Sequence, residues 1–109
     1  MLSEVPEVEI VGQSGKPVEA IKSIQSLNPD VAILDIRMPG GSGIDVLKYI
    51  KKDNPDIIVI MLTNYPYPQY RKKCVERGAD YFFDKSTEFE KVIDVLKQLI
   101  QDHTVTGGM

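Results

Sequence analysis

Four consecutive apolar residues, Val31-Ala32-Ile33-Leu34, run without polar alternation straight into a carboxylate, Asp35. A strand with one wet face alternates, whereas a continuous apolar run is a strand buried on both faces, as in a parallel sheet covered by helices. The feature restricts the chain to an α/β fold. Ile36-Arg37-Met38-Pro39-Gly40-Gly41-Ser42-Gly43 follows as a loop stiffened by Pro39 and released at Gly43, and a helical pattern opens behind it. In open α/β sheets the carboxyl ends of the strands are where ligands bind. Asp35 is thus an acid at the rim of an apolar core. The same position equally suits an aspartate that caps a helix or closes a turn.

The motif Asn-Pro-Asp occurs twice, as Asn28-Pro29-Asp30 before Val31 and as Asn54-Pro55-Asp56 before Ile57. Each Asn-Pro stops a helix, because the residue before a proline is pushed out of the α region. Each Pro-Asp then opens an apolar run, giving the rhythm of consecutive βα units with right-handed crossovers. The pattern predicts strands at Glu7–Gly12, Val31–Leu34, Ile57–Leu62 and Asp80–Asp84. Helices are predicted over about Pro17–Leu27, Ile44–Lys52, Gln69–Arg77 and Glu88–Gln101. Val18, Ile21 and Ile24 are expected inward on the first, and Ile44, Leu47 and Ile50 on the second. Phe89, Val92, Ile93, Leu96 and Ile100 form a stripe on the last, with Thr87 and Glu90 as its capping box. His103–Met109 reads as a loose tail.

At 109 residues the chain fits one domain with a modest core. Its net charge of −3 comes from interspersed acids and bases, with no basic stripe for nucleic acid. No apolar run reaches the length of a membrane span, and the opening residues carry no signal-peptide pattern. Cys74 is the single cysteine and reads as a small buried hydrophobe; with no disulfide partner in the chain, a cytoplasmic location is the default.

Asp35, Met38, Pro39 and Gly43 stand at the spacing Asp-x-x-Met-Pro-x-x-x-Gly. Thr63 closes the second buried run and Lys85 the third. In this order the residues resemble the phospho-acceptor, hydroxyl and lysine positions of response-regulator receiver domains. The resemblance implies a flavodoxin-like, doubly wound parallel sheet and a two-component signalling domain rather than an enzyme. It implies phosphorylation on Asp35, with Thr63 and Lys85 contacting the phosphate. It also implies a histidine kinase or phosphotransfer protein as partner, and magnesium (Mg2+) held partly by Asp35 and the backbone carbonyl of Arg37. Phe82 matches the family's switch aromatic; it suits a plain core ring nearly as well, and neighbouring Tyr81 is an alternative for the role.

The chain departs from the family at its start. Met1–Glu7 resembles the end of the family's first helix and the loop into its second strand. The first strand and its acidic pair are not matched, and Glu4, Glu7 and Glu9 do not replace them. Two expectations follow. Metal affinity falls, which opens the alternative of a degenerate, phosphate-independent receiver acting as an interaction module. The sheet is truncated to about four strands, with Glu7–Gly12 moving beside Val31–Leu34. One terminal helix then leaves an apolar patch on its face of the sheet, enough to drive a homodimer through that face and the C-terminal helix.

Smaller departures lie around the site. Asn64 follows Thr63 where the family usually has a small residue, and Ser86 follows Lys85 where it commonly has proline. Tyr65-Pro66-Tyr67-Pro68 with Tyr70 suits either a partner surface or packing against the protein's own helix.

Overall fold

The computed structural model describes residues 8–11, 16–38 and 40–108, with side chains placed for residues 8, 16–38 and 40–101. Along the chain run β1 (Val8–Val11), α1 (Pro17–Leu27), β2 (Val31–Leu34), β3 (Arg37–Met38), β4 (Gly41–Ser42) and α2 (Gly43–Asp53). Then follow β5 (Ile58–Thr63), α3 (Pro68–Glu76), β6 (Tyr81–Asp84) and α4 (Phe89–Gly108). The main sheet is parallel, in the order β1-β2-β5-β6. As the sequence predicts, β1 lies directly beside β2, with Val8 opposite Val31 and Val11 opposite Leu34.

Alternation along the buried strands assigns each side chain to one of two layers. Ala32, Leu34, Val59, Met61 and Phe82 face α1, α2 and α3, packing with Ala20, Ile24, Val46, Leu47, Ile50 and Cys74. Burial pushes the Cys74 thiol up to about 11, so it behaves as an apolar side chain. On the opposite face Val31, Ile33, Ile60 and Leu62 pack with Val92 of α4, flanked by Val95, Leu96 and Leu99.

That second face limits where an apolar patch can lie. Val31, Ile33, Ile60 and Leu62 are all buried, so the inner strands carry no bare apolar patch on the α4 side. β2 and β5 each have a strand on either side, and the inward stripe of α4 closes over the middle. What remains exposed lies on α4 itself, at Phe89, Ile93 and Ile100, and at Val8 on the edge strand.

Other differences are local. Val18 is 61% exposed rather than inward. Ala20 and Ile24, one turn apart, define the buried face of α1, and Val18 lies about 200° round the helix from Ala20. The loop after Asp35 contains a short antiparallel hairpin, β3 with β4, which two-residue strands do not announce in sequence. Helical backbone continues to Gly108 through residues expected as a loose tail, since no proline interrupts its hydrogen-bond ladder. Pro39 and the first seven residues lie outside the described residues.

The two Asn-Pro-Asp repeats meet in space. Asn28 caps α1 in the left-handed conformation at φ 45°. Its side-chain oxygen accepts a 2.9 Å hydrogen bond from Asn54 Nδ2 at the end of α2. Beside them Lys51 Nζ donates to the carbonyls of Ile57 (2.6 Å) and Pro55 (3.3 Å) and to Asp80 Oδ2 (2.8 Å). Asp80 Oδ2 also accepts the Val59 N–H at 2.8 Å. The network ties α2 to the amino ends of β5 and β6.

Candidate functional site

At the opposite edge of the sheet, three neighbouring strands end in the three residues singled out by the sequence. Asp35 follows β2, Thr63 is the last residue of β5, and Lys85 follows β6. Parallel strands stand about 4.8 Å apart. The register sets Leu34 beside Met61 and Thr63 beside Asp84, so the three chain segments emerge side by side. The Lys85 N–H donates to the Thr63 carbonyl at 2.8 Å, locking two of them together.

Each side chain is held differently. Thr63 is fully buried, and its Oγ1 accepts the Tyr65 N–H at 3.0 Å. An acceptor bond of that kind leaves the hydroxyl proton available as a donor. Asp35 is partly buried, and its Oδ1 accepts the Arg37 N–H at 3.3 Å in a local turn. Lys85 is partly buried, and among the described residues no ion pair engages its ammonium.

The loop after Asp35 folds back over the start of α2. The Gly43 N–H donates to the Ile36 carbonyl at 2.7 Å, and a Cβ at Gly43 would overlap the Asp35 carbonyl oxygen. Only a residue without a side chain lets the loop pass that closely. Ser42 caps α2 by accepting the Ile44 N–H at 3.1 Å. The sequence carried that signal, since Ser42 stands three residues before the acidic Asp45.

An aromatic wall adjoins the loop. The Arg37 guanidinium lies 4.2 Å from the centre of the Tyr65 ring, joining the segment after Asp35 to the segment after Thr63. Tyr65, Tyr67 and Tyr70 follow in tilted contact, with ring centres 6.3 and 5.6 Å apart. Tyr70 packs on the core, as the alternative of packing against the protein's own helix expects, while Tyr67 is exposed. Phe82 is buried in the α1–α3 layer with the Arg71 guanidinium 4.7 Å from its centre. Tyr81 and Phe83 stack with each other on the α4 side.

The turn from Lys85 into α4 is organised by Asp84 and Glu88, in place of the expected Thr87–Glu90 capping box. Asp84 Oδ1 accepts the Ser86 hydroxyl at 2.7 Å and the Ser86 N–H at 2.9 Å. These bonds hold its carboxyl below the usual carboxylate range. Glu88 is lowered likewise, first by its hydrogen bond from Lys91 and then by the Asp84 N–H.

A magnesium ion needs a near-octahedral set of oxygen ligands. Among the described residues no three of His, Cys, Asp and Glu come together. Asp35 and the Arg37 carbonyl by themselves fall short of that set.

The family profile described as "Response regulator receiver domain" matches residues 2–97. An uncharacterized response regulatory protein of Vibrio cholerae is 30% identical over 103 residues, covering 94% of this chain and 42% of that protein. The response regulator domain of Thermotoga maritima CheB superposes with a TM-score of 0.73 at 25% identity, covering 92% and 96% of the two chains. A LuxR-family DNA-binding response regulator from Staphylococcus aureus gives a TM-score of 0.70 at 34% identity, covering 78% and 71%. The chain spans about half or less of the length of the curated relatives it matches. Among the described residues no helix is long and apolar enough to cross a membrane.

Proposed function

The chain belongs to the response regulator receiver domain family, and on that premise we propose that it accepts a phosphoryl group on Asp35 from a histidine kinase or phosphotransfer protein. The observation that carries the reading is the side-by-side emergence of Asp35, Thr63 and Lys85 from adjacent parallel strands. A carboxylate oxygen of Asp35 attacks the phosphorus of a phosphohistidine. The new O–P bond forms as the N–P bond breaks, and the imidazole nitrogen leaves with the electron pair. Charge on the transferring oxygens is met by the Lys85 ammonium and by the Thr63 hydroxyl proton. Burial of Phe82 beneath Arg71 suits a ring that responds to Thr63, the neighbour of its strand.

A second reading is favoured by the donor set: among the described residues no three of His, Cys, Asp and Glu gather into a metal site, and Asp84 at this edge is engaged by Ser86, so that the chain is a phosphate-independent interaction module. Fluorine NMR with beryllofluoride and magnesium separates the two. Bound fluorine signals that vanish in Asp35→Ala support phosphotransfer. A folded sample without bound signals leaves the interaction reading.

Self-association is part of both readings. Phe89, Ile93 and Ile100 lie exposed on α4 and support a homodimer through that helix. Light scattering at micromolar concentration tests it, and a purely monomeric protein overturns it.

A further inference from the structure

From the amino edge of the sheet we infer a second binding site, a cleft between α1 and α2 that takes a small, neutral aromatic ring bearing a carboxamide or lactam. The cleft has a volume of about 110 Å³ and a floor of Ile21, Ile24, Ile50 and Ile57. Apolar cavities of around 150 Å³ hold one benzene ring, so an open cleft slightly smaller accommodates a single ring with its substituent projecting.

The rim selects the substituent. Across one end Gln25 Nε2 donates to the Tyr49 hydroxyl at 2.8 Å, bridging the two helices in an exposed position. Across the other, Asn54 Nδ2 donates to Asn28 Oδ1 at 2.9 Å. That single bond fixes the two amides against each other and leaves Asn28 Nδ2 as donor and Asn54 Oδ1 as acceptor. A donor and an acceptor held together complement the paired acceptor and donor of an amide edge. Asp53 completes the rim and disfavours an anion. An isosteric carboxylate lacks the donor that Asn54 Oδ1 needs and also brings like charge. Polar groups converging above an apolar floor are the usual construction of a small-molecule site.

The site lies at the end of the sheet opposite Asp35 and depends on nothing proposed there. Nicotinamide serves as probe and nicotinate as its charged isostere, followed by amide chemical shifts in two-dimensional NMR of the full chain. Nicotinamide is expected to shift Gln25, Asn28, Tyr49 and Asn54 with a Kd of about a millimolar, in keeping with its few heavy atoms. Nicotinate is expected to bind about tenfold more weakly or not at all. Asn28→Gly retains the left-handed cap and deletes the amide, and is expected to weaken nicotinamide about tenfold while the spectrum stays folded. Asn54→Ala repeats the test from the other partner. Absence of shifts up to tens of millimolar overturns the inference. So do equal shifts with nicotinate, equal binding by both variants, or shifts confined to another surface.

Discussion

The two edges of the sheet are built from similar residues put to opposite uses. At the amino edge Lys51 gives hydrogen bonds to two carbonyls and to Asp80, and Asp80 takes a backbone N–H as well. At the carboxyl edge the Lys85 ammonium has no ion pair among the described residues, and Thr63 retains a donor beside Asp35. Saturation of polar groups fixes an architecture, whereas unsaturation leaves capacity to bind something else. Identical residue types are therefore tied down or left available according to what the backbone already supplies.

The largest effect should come where the carboxyl edge is itself a packing problem. Gly43→Ala sets a methyl group onto the Asp35 carbonyl, against backbone that cannot swing away. The expected loss is about 3 kcal/mol or more, as for other overpacked buried sites. Chemical denaturation measures it, and a loss below about 1 kcal/mol means that the loop after Asp35 has room to relax. Next comes Lys51→Met, which keeps the apolar stem but strips the donors from the Ile57 carbonyl and from Asp80. Unpaired groups at a mostly buried lysine should lower stability by about 1–3 kcal/mol. The contrast between the edges requires that beryllofluoride response at Asp35 be unchanged in that variant. A coupled loss at both ends would break it.

Arg37→Ala tests the aromatic clasp between the segments after Asp35 and Thr63. Arg37 is exposed over a half-buried Tyr65, so the stability change should stay at about 0.5–1 kcal/mol. Denaturation followed by tyrosine fluorescence reads both the energy and the release of the ring.

Most of the fold was legible because burial imposes a period on the sequence. Val31–Leu34 and the run from Ile57 could be nothing but inner strands, and the repeated Asn-Pro stops dictated where helices end. Asp35, Thr63 and Lys85 were legible because each directly closes such a run. What escaped reading depends on distance in space rather than along the chain. Lys51 and Asp80 are 29 residues apart, and Arg37 meets Tyr65 from a different strand end. Neither pair has a local pattern. How far α4 covers its face of the sheet has no local pattern either, since burial of Val31 and Ile33 depends on how α4 lies across the inner strands. The capping of α4 failed on chemistry instead. Thr87 and Glu90 have the right spacing, but Asp84 stands earlier and gathers the Ser86 donors into its own turn.

That turn supplies the smallest test, one that separates positioning from strength. Ser86→Ala removes the hydroxyl that contributes most to lowering the Asp84 carboxyl and leaves the Ser86 position's backbone N–H in place. The Asp84 titration should move up toward the ordinary carboxylate value without reaching it. A carboxyl lowered in the folded state gives stability that is present above its unfolded value and disappears as pH falls through the folded one. The variant should therefore be slightly less stable at neutral pH, with the difference vanishing in strong acid, where Asp84 is protonated in both proteins. Carboxyl carbon shifts followed through a pH titration measure the first effect, and denaturation across the acid range measures the second. Lys85 lies between Asp84 and Ser86, so the same variant reports on whether the turn aims the lysine. A weakened beryllofluoride complex with fold intact would make the Asp84 turn part of the carboxyl-edge site. An unchanged complex would class it with the saturated network of the amino edge, as structure alone.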